Sequence, residues 1–147
     1  ITSLRENPAH YPALHDYLRV TGEQEAAPGQ QFTLCCIGTV RALDPAVHRE
    51  LCAIGKEALC NAFRHADARK HEVLVDYGSR ALVLTIQDDG KGIGVSNSGN
   101  QGHWGLRGIE ERAKLIHAKA SLRSAHGAGT TWRIEVKAAF AYAKFYR

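Results

Sequence analysis

The chain has 147 residues, 44% hydrophobic and 23% charged, with a formal net charge of +4 at pH 7. That suits one globular domain able to bury about two thirds of its unfolded surface without staples, and no stretch approaches the roughly 18 apolar residues of a membrane span. Four cysteines, Cys35, Cys36, Cys52 and Cys60, form no CxxC, which argues against a zinc ribbon or a disulfide framework, and the scattered Lys and Arg form no stripe for nucleic acid.

The chain opens at Ile1 with neither methionine nor a signal-peptide pattern, so a longer parent with sequence upstream is expected. Residues 9–20 suit a short amphipathic helix, and Gly22 to Gln30, with Pro28-Gly29, reads as a loop. FTLCCIG, residues 32–38, is an apolar run of strand length. Asp44-Pro45 is an N-cap followed by proline at the first helical position, and Val47, Leu51, Ile54, Ala58, Ala62 and Phe63 keep a helical period to about Ala66. His48 and Cys52, four apart on this helix, could share a metal, but no second ligand pair accompanies them. Val73, Val75 and Tyr77 alternate with polar residues, Gly78-Ser79 turns, and Leu82, Leu84 and Ile86 alternate again, which predicts a hairpin. Seven glycines from Gly90 to Gly108 mark a long loop. Leu106, Ile109, Ala113 and Ile116 resume helical spacing, a short strand lies near Ser121 to Ser124, and HGAGT turns the chain into TWRIEV. The tail, 138–147, reads as a further helix or a plain chain end. Antiparallel strands beside helices predict an α+β fold, a two-layer sandwich with a mixed, mainly antiparallel sheet on one side.

Four features could carry chemistry. In QDDGKGIG, residues 87–94, Asp88 continues the inward row of Leu82, Leu84 and Ile86, where a carboxylate needs a hydrogen-bond donor from the protein or a ligand. Asp89 points the other way and reads as incidental. The plain alternative is an aspartate capping its own turn. A calcium loop lacks its alternating ligands, and a P-loop lacks the Ser or Thr after Gly-Lys. Glu57, Asn61 and His65 stack on one helix edge, bordered by Arg64, either as a solvated face or as a set suited to hydrated magnesium and phosphates. GHWGLRG, residues 102–108, offers a helix start for an anion, and is otherwise an ordinary glycine loop. Thr130 shares the inward face of Trp132, Ile134 and Val136, so it and Asp88 could reach one buried space.

Together and in this order, the four features resemble the ATP-binding domain shared by sensor histidine kinases, type II topoisomerases, the Hsp90 chaperones and the MutL repair proteins. EALCNAFRHA, 57–66, resembles the N box; DDGKGI, 88–93, the G1 box; GHWGLRGIEERA, 102–113, the G2 box; and GAGT, 127–130, the closing glycine-threonine motif. The Arg-His-Ala ending and GLRGIEERA are most similar to kinases paired with response regulators that carry a helix-turn-helix output domain. The likeness runs from about residue 30 to 137, with 1–29 as a lead-in from a helical region upstream.

The resemblance implies that Asp88 accepts a hydrogen bond from the adenine 6-amino group, Gly92 lets the backbone approach the base, and Thr130 holds the adenine or its bridging water. Asn61 would ligate Mg²⁺, Glu57 would orient or deprotonate the attacking group, and Arg64 or His65 would assist at the phosphates. Gly90 and Ile93 of the G1 box, Gly102, Gly105, Leu106 and Gly108 of the G2 box, and Gly129 complete the implied ATP-binding set. Trp104 is a departure, for the family more often has a small residue there. Leu14-His15-Asp16 superficially looks like a phosphoacceptor, yet Pro28-Gly29 and a strand follow too soon, so His15 reads as an ordinary helix histidine. The implied protein is then the catalytic part of a cytoplasmic kinase. The fragment would be monomeric and the full chain a homodimer. Its dimerisation and acceptor domain, and any membrane segment, would lie upstream, and a response regulator would be its partner. A serine kinase of the anti-sigma-factor type and a non-catalytic ATP-sensing module are the alternatives.

Overall fold

The computed structural model describes residues 12–65, 67–92 and 106–144. Five strands, β1 (Gln31–Gly38), β2 (Lys70–Tyr77), β3 (Ala81–Asp88), β4 (Lys119–Ser124) and β5 (Thr130–Lys137), form one sheet in the order β1-β2-β3-β5-β4. Only β1 and β2 run parallel; every other neighbouring pair is antiparallel. Helices α1 (Leu14–Glu25), α2 (Pro45–His65) and α3 (Leu106–Leu115), with the short α4 (Ala138–Ala141), complete the α+β sandwich expected from the element order. Among the described residues no helix is long and apolar enough to cross a membrane.

Strand alternation sends three apolar rows across the sheet into the core: Leu34, Val73, Ile86, Trp132 and Leu122; then Cys36, Val75, Leu84, Ile134 and Ala120; then Tyr77, Leu82 and Val136. Leu82, Leu84 and Ile134 are essentially sealed from solvent, and each such side chain contributes about 1.5–3 kcal/mol of transfer free energy. From α2 the core takes Leu51, Ile54 and Leu59, and from α3 Ile109 and Ala113. The opposite face of the sheet carries Glu72, Asp76, Arg133, Glu135 and their neighbours, half-buried or exposed. β1 is apolar for a local reason: Phe32, Leu34 and Cys36 pack inward at the sheet edge, while Cys35 and Ile37 face outward.

The N-cap of α2 forms as expected, with Asp44 Oδ1 accepting from the Ala46 and Val47 amides at 3.0 and 3.2 Å. His48 and Cys52 meet as a hydrogen-bonded pair, Nε2 to Sγ 3.6 Å, and burial pushes the thiol up to about 12. α1 differs from expectation, running through Gly22 to Glu25, where a loop is expected from Gly22 onward. A Cβ on Gly22 would lie 2.2 Å from Phe32 Cζ, so the helical glycine lets β1 pack tightly against α1. That tertiary contact outweighs the roughly 1 kcal/mol helix cost of glycine. Leu14 and Leu18 lie wholly in the core, and His15 Nδ1 meets the buried Tyr77 hydroxyl at 2.9 Å. Burial raises that phenol to about 12. At the other terminus α4 turns the chain back, Tyr142 is buried, and the Ala143 amide donates to the Ala42 carbonyl at 2.9 Å.

Candidate functional site

The inward face of the sheet has one row that is not apolar throughout, and it is the last one. Phe32, His71, Asp88, Thr130 and Ser124 are successive cross-strand partners on β1, β2, β3, β5 and β4. His71, Asp88 and Thr130 are all buried. Asp88 is the last residue of β3 and Thr130 the first of β5, so the polar row stands where the glycine loop leaves the sheet and the closing turn rejoins it.

Asp88 performs the turn-capping role and retains more. Its Oδ1 accepts from the Gly90 amide at 2.9 Å, and burial pushes the carboxyl above the usual carboxylate range. The Gly90 amide, the imidazole of His71 and the Thr130 backbone pull it partly back. Thr130 Oγ1 lies 3.1 Å from Ser124 Oγ. Asp88 and Thr130 therefore do share one buried space, as alternation along the two strands indicates.

Two glycines lock the turns at this end together. Gly129, at φ +80°, lies so close to β3 that a Cβ would sit 2.0 Å from the Asp88 carbonyl oxygen. Gly92, at φ +77°, would place a Cβ 2.2 Å from the Ala125 carbonyl oxygen, and the Gly127 amide donates to the Lys91 carbonyl at 2.8 Å. Both conformations favour glycine, and both close approaches forbid any side chain. The loop after β3 and the β4–β5 turn thus form one platform around Asp88.

Asp89 is not incidental. Its exposed carboxylate accepts from the Arg69 and Lys70 amides, each at 2.9 Å, while its own amide donates to the Lys70 carbonyl at 3.2 Å. Hydrogen bonding, first from Lys70, holds its carboxyl below the usual range. The last of these bonds makes His71 and Asp88 a non-hydrogen-bonded antiparallel pair, whose Cβ atoms stand about 4.5–5.5 Å apart.

His71 is absent from the sequence-derived set of site residues. Phe63 of α2 covers its ring at 3.9 Å between centroids, and neither ring nitrogen has a hydrogen-bond partner among the described residues. Burial lowers its pKa, opposed first by the charge of Asp88 and then by the nearby Ala68 backbone. Leaving a buried polar group so costs about 1–3 kcal/mol. The signal for His71 lies in the alternation itself, since Val73, Val75 and Tyr77 extend backwards to residue 71 on the same face.

On α2, Asn61 Nδ2 donates to Glu57 Oε1 at 3.4 Å on the exposed edge, with exposed His65 one turn on. Arg64 instead reaches α1, its Nη2 lying 3.7 Å from Glu25 Oε2. Asn61 and Glu57 bring an amide and a carboxylate together, oxygen chemistry that suits a hard cation taking few protein ligands and several waters. Among the described residues no group of three or more His, Cys, Asp or Glu side chains is placed to hold a metal. Ile93, Gly102 and Gly105 lie outside the described residues. Leu106 packs against the core at the start of α3, and Gly108, exposed, has nothing within 4 Å of where a Cβ would stand. Arg112 anchors α3 to α2, its Nη1 donating to Glu50 Oε2 at 3.0 Å.

Residues 46–139 match the family model described as histidine kinase-, DNA gyrase B-, and HSP90-like ATPase. The chain is 30% identical over 129 residues to the signal transduction histidine-protein kinase/phosphatase DegS of Bacillus subtilis, covering 85% of this chain and 33% of the relative. It is 36% identical over 96 residues to the sensor histidine kinase LiaS of the same organism, covering 65% of this chain and 26% of the relative. The sensor protein VraS of Staphylococcus saprophyticus is 38% identical over 92 residues, covering 63% and 26% respectively. The chain thus spans about a third or less of these relatives. In fold it is similar to a blue-light activated histidine kinase of Erythrobacter litoralis, with a TM-score of 0.68 at 20% identity over 84% of this chain and 40% of that one.

Proposed function

Since the chain belongs to the histidine kinase-, DNA gyrase B- and HSP90-like ATPase family, we propose that this ATP-binding catalytic domain presents Mg-ATP for γ-phosphoryl transfer to a histidine on a separate dimerisation domain. A response regulator is the onward acceptor. The parent protein is then a homodimeric sensor kinase acting in the cytoplasm, with the acceptor helix upstream of a lead-in at 1–29, the ATP-binding unit at 30–137 and a tail at 138–147.

The observation that carries this is Asp88: a buried carboxylate in the polar row, beside Thr130 and fenced by the close approaches of Gly92 and Gly129. A buried acceptor there suits the 6-amino group of adenine, and the two glycines, each pressed against the backbone of a neighbouring segment, hold the platform on which that acceptor stands. Thr130 helps to hold the adenine or its bridging water, and Gly90 fixes the carboxylate by its amide. Ile93 of the G1 box and Gly102, Gly105, Leu106 and Gly108 of the G2 box complete the proposed nucleotide-binding set. Asn61 ligates Mg²⁺, which neutralises phosphate charge when bound, and His65 or Arg64 steadies the phosphate chain. Glu57 orients or deprotonates the incoming imidazole, its carboxylate kept beside Asn61 by their hydrogen bond. Catalysis here is positioning and charge neutralisation, with no covalent enzyme intermediate.

The test uses a longer chain carrying the acceptor helix and γ-labelled ATP. Glu57→Ala should keep nucleotide affinity and lose about 100-fold or more of the labelling rate, the usual effect of removing a general base. Equal labelling rates would remove Glu57 from the chemistry.

A further inference from the structure

We propose that His71 is a specificity-determining residue of the nucleotide pocket, holding the Asp88 carboxylate, directly or through one ordered water, as an acceptor for the purine 6-amino group. This rests on the assignment of Asp88 as the adenine reader, and extends it to a residue on a different strand.

Three observations converge on this role. His71 is the cross-strand partner of Asp88 in the one polar row of an otherwise apolar sheet face. The pairing is of the non-hydrogen-bonded kind, in which side chains stand closest. His71 is buried, with 1% of its surface exposed, and both ring nitrogens lack a partner among the described residues, although every neighbouring inward position on β2 is Val or Tyr. A histidine kept only for packing would be better served by an apolar residue.

The chemistry is specific. Asp88 gives one oxygen, Oδ1, to the Gly90 amide, and under this assignment the other is the one offered to the base. A neutral imidazole has one N–H donor and one acceptor nitrogen. Its N–H can fix the remaining oxygen as a pure acceptor, which welcomes a 6-amino group and repels a 6-oxo group. Phe63, packed on the ring from α2, fixes the plane in which that N–H lies. His71 is thus a positioning residue acting through Asp88.

The test compares Mg-ADP and Mg-IDP binding by calorimetry for the whole chain, with His71→Leu, His71→Asn and Asp88→Asn, alongside thermal melting. His71→Leu should melt at or above the wild-type temperature, bind ADP about tenfold more weakly and bind IDP unchanged, so that the preference for the 6-amino base falls about tenfold. His71→Asn, which keeps an N–H donor, should retain part of that preference, and it decides the matter should the leucine variant not fold. A His71→Leu variant whose ADP affinity and ADP/IDP ratio stay within about twofold of wild type overturns the role of His71, while loss of binding in Asp88→Asn leaves the pocket assignment standing. A wild-type chain that does not distinguish ADP from IDP overturns both.

Discussion

Gly129→Ala tests whether the platform around Asp88 depends on backbone contact. A Cβ there would lie 2.0 Å from the Asp88 carbonyl oxygen and 3.2 Å from Asp89 Cα, at φ +80°. No rotamer relieves a clash with backbone, so the ends of β3 and β5 must part by about 1 Å or more. The positive φ costs about 1–2 kcal/mol and the forced shift about 1–3 more. Gly127→Ala is the internal control, because Gly127 has a similar φ of +75° but nothing within 4 Å of a Cβ. Urea and thermal unfolding should then show a loss of about 1–2 kcal/mol for Gly127→Ala and about 3–4 for Gly129→Ala, the latter lowering Tm by roughly 10 °C. Nucleotide affinity should fall only in Gly129→Ala, by about tenfold or more, as Asp88 leaves its register with Thr130. Equal stability losses in the two variants would refute the close approach as the cause.

Asp89→Ala should remove up to about 1 kcal/mol at neutral pH, a small figure because the carboxylate is exposed. Its folded pKa lies below the unfolded value, so the contribution is present above about pH 4 and is lost as pH falls through the folded pKa; the variant should show a flatter acid limb in urea unfolding. Arg112→Ala leaves the buried Glu50 carboxylate, among the described residues, with the more distant Arg49 at 3.7 Å, and should cost about 1–2 kcal/mol; a double-mutant cycle with Glu50→Gln should show coupling of at least about 0.5 kcal/mol.

What is legible in the sequence is what depends on short-range period. The inward direction of Asp88 follows from Leu82, Leu84 and Ile86, and that of Thr130 from Trp132 and Ile134, so their common space is readable from two separate strands. Alternation on β2 carries the same information for His71, but a histidine before three apolar residues draws no attention until its cross-strand partner is known. Asp89 is illegible for a stronger reason. The amides it holds lie 19 and 20 residues away, and only the β2–β3 register brings them to it. The continuation of α1 through Gly22 is hidden likewise, since local propensity breaks the helix there and a contact with Phe32 restores it. Arg64, at the right place in the motif, is drawn to Glu25 by the α1–α2 packing.

Asp88→Asn tests, with little disturbance of the fold, whether Asp88 accepts from the purine base. The asparagine oxygen can still take the Gly90 amide, so the turn survives and what changes is the group facing the pocket. Calorimetric titration of the chain with a non-hydrolysable ATP analogue and Mg²⁺ should show binding in the wild type and loss of about 100-fold or more in Asp88→Asn, as a donor is set against a donor. Unchanged affinity in a folded Asp88→Asn variant would contradict the assignment of this row as the base-binding floor.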